Sequence, residues 1–594
     1  MTREPSLEPT PRSKRTAVIY FHGMGEQKRY EEISGFVEAL HDYARAYPDT
    51  AGELHEITAR VEPQAEVLGS PSEVAFLRVK HLSKDSAEEP QSRWYQFYEV
   101  YWAPVMAGGA PWRGVVWWLL RQIPTPFKML RSPWRSRQRL RRSCLRSHLE
   151  SHPEDAKLVK SLLLDYADFD EPEARLQYPD GSFEEFLRFI EHDRKHAPEA
   201  VQELHRLARA WRGEYFRDEW WAAFVLAGVG LTVVIAAAAA AFLVVLALDA
   251  VLASSVAQQG WVGSIREYLV PSVATVGGAL AFLVSALGIG AFLRNFLGDV
   301  YYWTTYEETD TKHQKREEVL KRGREVLTHV LHQPDVDRVI VAGHSLGTAV
   351  AVDTLLSLAR SERAEVSRGE GAAEPLLPKV DIFLTWGSPV DKIHYFFESY
   401  QSRSYRYSRT VEELRGDLET PPFAKNRKPH AHWINFWDPA DIIGGPLTTP
   451  CSAVNVALSV DNVQVQNLWF PNPGTSHTAY WKNAQVVRVL YEAIFLGQHS
   501  FKDSPVEDGR PNYAARRLHR VAKRRFVRGV HTACLAMPWL ILGGALTYPL
   551  ENRWAFRGFA GAAILIAAGI VLSWASGRAK GVRHPFRGRA VERS

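Results

Sequence analysis

Apolar and polar positions along the chain follow two regimes. In the first, short apolar runs alternate with amphipathic stretches. Ala17 to Phe21 (AVIYF) has the pattern of a buried strand and ends in His22-Gly23-Met24-Gly25, while Trp94 to Trp102 (WYQFYEVYW) alternates and is rich in aromatics. Arg316 to Leu331 predicts an amphipathic helix, followed by a strand at Arg338 to Ala342 and a helix at Thr348 to Leu358. Strands at Val380 to Trp386, Trp433 to Trp437 and Val463 to Phe470 come next, and a helix at Ala479 to Phe495 closes the series. Such alternation predicts an α/β fold with a parallel sheet covered on both faces. Polar stretches at Ser361 to Pro378 and Phe397 to Pro429 predict exposed loops, and no internal repeat is visible.

In the second regime the apolar runs are long. Ala222 to Leu248 and Tyr268 to Leu293 are uninterrupted by charge between their ends, apart from Asp249 just beyond the first. Each exceeds the ~20 residues that cross a hydrocarbon core. His531 to Leu550 and Gly558 to Ser576 form a second, shorter pair, the first of them interrupted by Pro538 and Gly543-Gly544. Four transmembrane helices in two hairpins are therefore expected, with the folded parts on one side. Arg206, Arg209, Arg212 and Arg217 precede the first hairpin, and seven basic residues from Arg516 to Arg528 precede the second, which assigns that side to the cytoplasm of the cell (inner) membrane. Trp112 to Arg146 mixes tryptophans with a dense arginine series, which suits either a segment lying on anionic headgroups or an ordinary solvated basic helix.

Composition adds mostly exclusions. Over 594 residues the formal charge is only +5, so no nucleic-acid partner is expected. The three cysteines, Cys144, Cys451 and Cys534, are far apart and predict neither a disulfide framework nor a zinc site. Met1 to Lys14 is polar and charged, unlike a cleavable signal peptide. No metal or organic cofactor is expected.

The chemistry concentrates around Gly343-His344-Ser345-Leu346-Gly347. A lone Gly-x-Ser-x-Gly is weak evidence, but here a buried strand leads into it and a helix opens after it, the setting in which a serine projects from a sharp strand-to-helix turn. A serine hydroxyl needs a base to take its proton. His477, in the Pro/Gly-rich loop between the last strand and last helix, is the candidate; His394, His430 and His432 come too early. The acid that orients the base is Asp438 or Asp441, both following the strand Trp433 to Trp437. Asp438 also suits a structural turn with Pro439, so Asp441 is favoured. Two backbone N–H groups complete the set as an oxyanion hole, from Leu346 and from Met24 in the early glycine-rich loop.

The pieces AVIYFHGMGEQ, VIVAGHSLGTAVAVD, IFLTWGSPVD, WINFWDPADIIGG and SHTAYW resemble the α/β-hydrolase superfamily, and within it the lipase-like members. They cover the first thirty or so residues and roughly Arg338 to Phe495. The resemblance implies an eight-stranded, mostly parallel sheet and hydrolysis through an acyl-serine, with Ser345 as nucleophile, His477 as base, Asp441 as acid, and Met24 and Leu346 as oxyanion donors. About three hundred residues separate the oxyanion loop from the nucleophile, far more than in the ordinary fold.

The chain then divides into a disordered start (1–13), two parts of the α/β domain (14–104 and 294–500), a basic helical insertion (105–221), two membrane hairpins (222–293 and 531–576), a basic juxtamembrane segment (501–530) and a basic tail (577–594). The expected activity is that of a membrane-anchored lipase or esterase. Its expected partners are an acyl-ester substrate, taken from lipid, and the bilayer. Thioesterase, acyltransferase, peptidase and non-catalytic scaffold stand as alternatives.

Overall fold

The computed structural model describes residues 15–24, 27–48, 53–64, 72–82, 92–106, 117–118, 156–169, 172–179, 183–193, 197–210, 212, 298–303, 311–368, 375–393, 422–423, 429–441, 443–447, 460–465, 467 and 473–497. Eight strands form one sheet: β1 (Arg15–Phe21), β2 (Glu53–Gln64), β3 (Ser72–Leu82), β4 (Ser92–Val100), β5 (Val336–His344), β6 (Val380–Trp386), β7 (His432–Trp437) and β8 (Val460–Gln464). Their order is β2-β3-β4-β1-β5-β6-β7-β8. The sheet is mixed: β2–β3 and β3–β4 are antiparallel, and the other five pairings are parallel.

Strand alternation builds the two layers. On β1 and β5, Val18, Tyr20, Ile340 and Ala342 face a core shared with α1 (Glu31–Ala46) and the C-terminal helix Ala484–Phe495. Ala17, Ile19, Phe21, Val339 and Val341 face the opposite core, closed by the helices Thr311–Leu331 and Leu346–Arg368. With side chains of period two, every second residue is committed to one layer. All of β1 from Ala17 to Phe21 is buried, as a strand covered on both faces must be.

The chain enters at β1 in the middle of the sheet, builds one half, and returns beside β1 as β5 to build the other. The connections after β1 and β5 therefore leave toward opposite layers, α1 on one and Leu346–Arg368 on the other. A crevice at the carboxyl ends of two such strands is where open α/β sheets take their ligands.

A third, smaller apolar cluster sits among helices between β4 and β5. Leu162 and Phe169 of Ala156–Phe169, Phe186, Phe189 and Ile190 of Phe183–His192, and Leu204, Leu207 and Ala208 pack together.

The membrane reading is corrected. Among the described residues no helix is long and apolar enough to cross a membrane. The longest described helices fail for a simple reason: Thr311–Leu331 carries Lys312, Lys315, Arg316, Glu317 and Glu318 in its first two turns alone, and Leu346–Arg368 ends in Arg360, Glu362, Arg363, Glu365 and Arg368. The four segments behind the expectation, 222–248, 268–293, 531–550 and 558–576, lie outside the described residues. The fold class becomes an α/β fold with a mixed sheet flanked by helices, without transmembrane hairpins among the described residues. Cell-membrane localisation, the bilayer as partner and the membrane-anchored lipase lose their support with it. Most of Trp112 to Arg146 also lies outside the described residues, as does most of Phe397 to Pro429.

Candidate active site

Ser345 occupies the turn between β5 and the helix Leu346–Arg368, at φ 53°, in the left-handed region that a residue with a Cβ rarely adopts. Strain of that kind survives only where the surroundings enforce it. Here the Ser345 N–H is held by the Trp386 carbonyl at 3.1 Å, and the Ser345 carbonyl accepts from the N–H of Thr348 at 3.0 Å and its hydroxyl at 2.7 Å. Gly347 makes the turn possible. A Cβ there would lie 2.2 Å from the carbonyl oxygen of His22 and 2.4 Å from that of Phe21, so only glycine lets the helix start against the end of β1.

His477 comes from the short helix Pro473–Thr478, where a loop is expected from the Pro/Gly-rich sequence. Its Nε2 is 2.8 Å from Ser345 Oγ, and its Nδ1 is 2.9 Å from Asp441 Oδ2 and 3.1 Å from Oδ1. A carboxylate only accepts, so Nδ1 carries the proton and Nε2 is left to accept from the serine. Ser345, Asp441 and His477 are all buried.

The two aspartates after β7 separate by contact. Asp438 Oδ1 accepts the N–H of Ala440 at 2.8 Å and Oδ2 that of Asn467 at 2.7 Å, so its carboxylate ties down backbone. Asp441 meets the imidazole. Its Oδ1 also accepts the N–H groups of Ile443 at 2.8 Å and Gly444 at 2.9 Å, and its Oδ2 accepts the Tyr480 hydroxyl at 2.9 Å. Burial alone would raise the Asp441 carboxyl, but the His477 imidazole, with Lys392 and the Gly444 N–H, holds it below the usual carboxylate range. Burial pushes His477 down; Asp441 pulls it up, His344 and Lys392 push it down again, and the net direction is downward. The imidazole is thus a base free of its second proton at neutral pH.

Leu346 is the first residue of its helix, and the first N–H groups of a helix have no partner within it. Met24 lies in the loop after β1, half-buried against the sheet core, with its carbonyl accepting from Gln27 at 3.1 Å. The loop closes on the serine: a Cβ on Gly23 would lie 3.4 Å from the Ser345 Cβ. Ser345 with the adjacent Leu346, Asp441 and His477 therefore come together at the carboxyl ends of β5 and β7, and the loop after β1 that carries Met24 approaches the serine at Gly23.

Other residues at the site were assigned no role from the sequence. Tyr480 reaches Asp441 from the 3-10 turn Tyr480–Lys482, its position signalled only by the aromatic run Tyr480-Trp481. His344 lies beside His477, with Glu32 on the far side of its ring, and it occupies the variable position before the serine. His22 is buried against Trp102, whose backbone N–H donates to its Nε2 at 3.1 Å and whose ring stacks on it with centroids 4.7 Å apart. Burial drives His22 down to about 4, so it is a neutral structural ring.

Among the described residues no cluster of His, Cys, Asp and Glu can hold a metal ion. Compared with known proteins, the chain matches no family model, no curated protein and no solved structure.

Proposed function

We propose that the chain is a serine hydrolase acting on carboxylic ester bonds through an acyl-serine. One observation carries the reading: Ser345 Oγ, His477 and Asp441 form a continuous row of hydrogen bonds on a buried turn, with the serine at a strained backbone angle. A fold has little structural use for a left-handed serine whose hydroxyl is given to a base.

In this reading His477 Nε2 takes the Ser345 proton as Oγ attacks the ester carbonyl. Asp441 keeps the Nδ1 proton in place and stabilises the imidazolium. The N–H groups of Leu346 and Met24 receive the developing oxyanion. His477 then returns its proton to the departing alcohol. Water, deprotonated by the same imidazole, releases the acid and restores the serine.

A fluorophosphonate probe tests the reading. Wild-type protein is expected to be labelled and Ser345→Ala protein is not. Unlabelled wild type at neutral pH would overturn it, and turnover of p-nitrophenyl esters against thioesters and amides then assigns the bond.

A further inference from the structure

A row of buried polar side chains crosses three strands and ends on the loop that follows Asp441. Alternation places Thr385 of β6, Asn435 of β7 and Asn462 of β8 on the same face as Phe383, Trp433 and Val460, which is otherwise apolar. The register sets them side by side, Thr385 opposite Asn435 and Asn435 opposite Asn462. All three are buried.

Their hydrogen bonds run in one direction only. The Trp433 indole N–H can only donate, and it meets Thr385 Oγ1 at 2.9 Å; Thr385 passes its own proton to Asn435 Oδ1, also at 2.9 Å. Asn435 then has two N–H groups to give. One goes to Asn462 Oδ1 at 2.9 Å and the other to the carbonyl oxygen of Gly445 at 3.0 Å. Asn462 Oδ1 also accepts the Leu447 N–H at 2.7 Å, while its Nδ2 donates to the Leu447 carbonyl at 2.9 Å. The backbone carbonyls of Gly445 and Leu447 only accept, so neither amide can be turned round.

Residues 445–447 belong to no strand or helix, and side chains supply the partners that a ladder would. The Gly445 N–H is held as well, by the Ser388 carbonyl at 3.2 Å. Immediately before this anchored stretch, Ile443 and Gly444 give their N–H groups to Asp441 Oδ1 at 2.8 and 2.9 Å. Gly444 has no room to shift, since a Cβ there would lie 2.5 Å from Asp441 Oδ2 and 2.6 Å from Gly387 Cα. A fully satisfied buried network of this kind is rigid, and its rigidity passes to whatever it holds.

We propose that Thr385, Asn435 and Asn462 are positioning residues for the acid: the row seats residues 445–447, which keeps the Ile443 and Gly444 N–H groups on Asp441 Oδ1 and the carboxylate against His477 Nδ1. The inference rests on the hydrolase reading of the site.

Asn435→Leu removes both amide donors, Thr385→Val removes the hydroxyl at the far end of the row, and Thr385→Ser keeps it. On a p-nitrophenyl ester, kcat is expected to fall about tenfold to hundredfold in Asn435→Leu with KM little changed, the cost of a misplaced reacting group. Thr385→Val is expected to lose less, and Thr385→Ser to recover most of that loss. A second readout needs no turnover: the NMR signal of the His477 Nδ1 proton in Ser345→Ala protein, assigned by its loss in His477→Gln. It is expected to move upfield or broaden when Asn435→Leu or Thr385→Val is added, because the proton no longer meets a fixed carboxylate. A lowered Tm with kcat and the Nδ1 signal both unmoved in Asn435→Leu overturns the inference, leaving the row a structural feature. Should Asn435→Leu fail to fold, the threonine pair decides, and equal kcat and equal Nδ1 signals in Thr385→Val and Thr385→Ser overturn it. An inactive, unlabelled wild type instead overturns the hydrolase reading, while the Nδ1 signal still decides whether the row holds Asp441 on His477.

Discussion

The Tyr480 hydroxyl donates to Asp441 Oδ2 at 2.9 Å, the same oxygen that His477 Nδ1 meets at 2.9 Å. Its oxygen in turn accepts the N–H of Asp438 at 3.0 Å. One buried phenol therefore joins the carboxylate beside the imidazole to the turn that carries it. Burial and the two aspartates raise its own ionisation well above the ordinary value, so it stays a donor at any working pH. Tyr480→Phe removes the donor and orphans the Asp438 N–H. A loss of about 1–2 kcal/mol in stability is expected, with a fall in kcat and little change in KM. Denaturant midpoints and steady-state kinetics check both; unchanged kcat with lowered stability would reduce Tyr480 to a structural role.

The two aspartates should behave differently. Asp441→Asn leaves His477 facing an amide and favours the wrong tautomer, which costs about 10⁴-fold in kcat in comparable arrangements. Asp438→Asn weakens one or both of its backbone contacts, at Ala440 and Asn467. Its main effect is a loss of about 1–3 kcal/mol in stability. If Asp438→Asn were the catalytically dead variant, the assignment of the acid would be wrong.

The parts of this site visible in the sequence are those with a local signature. The glycines around Ser345 report a close approach of backbones, and the strand before and helix after it are each a continuous pattern. Asp438 and Asp441 both leave the same strand, and the sequence favours Asp441 only because Asp438-Pro439 suits a turn; the fold shows that it is Asp441 that His477 reaches. The antiparallel strands β2 and β3 carry no such signal: β2, at the edge of the sheet, reads Glu-Leu-His-Glu-Ile-Thr-Ala-Arg-Val and is exposed from Glu56 to Val61, so burial imprints no apolar run on it. Glu32 and His344 pair across more than three hundred positions, through a layer that alternation specifies only once α1 is known to cover it. The long apolar runs behind the membrane reading lie outside the described residues, and among the described residues no helix is long and apolar enough to cross a membrane.

Two glycines near the site test packing against chemistry. In Gly347→Ala the new methyl meets the carbonyl oxygens of His22 and Phe21 at 2.2 and 2.4 Å, backbone atoms that cannot step aside. The helix must back away from β1, and a loss of at least about 3 kcal/mol is expected, read as a fall in Tm with loss of probe labelling. In Gly444→Ala the methyl meets Asp441 Oδ2 at 2.5 Å and the backbone of Gly387 at 2.6 Å. Displacing that carboxylate should depress kcat out of proportion to Tm. A Gly347→Ala protein as stable as wild type would contradict the close approach of helix and strand.

Glu99 supplies a pH test that is independent of the catalytic reading. It pairs across from Tyr20 in the β1–β4 register, is only 8% exposed, and accepts the Tyr30 N–H at 2.6 Å through Oε2. Its Oε1 is buried without a hydrogen-bond partner. Burial, reinforced by the negative charge of Glu32, raises the carboxyl to about 7 against the lowering effects of the Tyr30 N–H and Arg29. A raised value means that the folded protein keeps a proton that the unfolded chain gives up near its ordinary value of 4.5. The stabilisation is therefore full below about pH 4.5 and is lost as pH rises through about 7, a total on the order of 3 kcal/mol. Glu99→Gln keeps an acceptor for Tyr30 and has no proton to lose. The variant should match wild type in denaturant midpoint near pH 5 and exceed it at pH 8, with the gap opening between those limits. A gap of constant size from pH 5 to pH 8 would mean that Glu99 is ionised in the folded protein throughout.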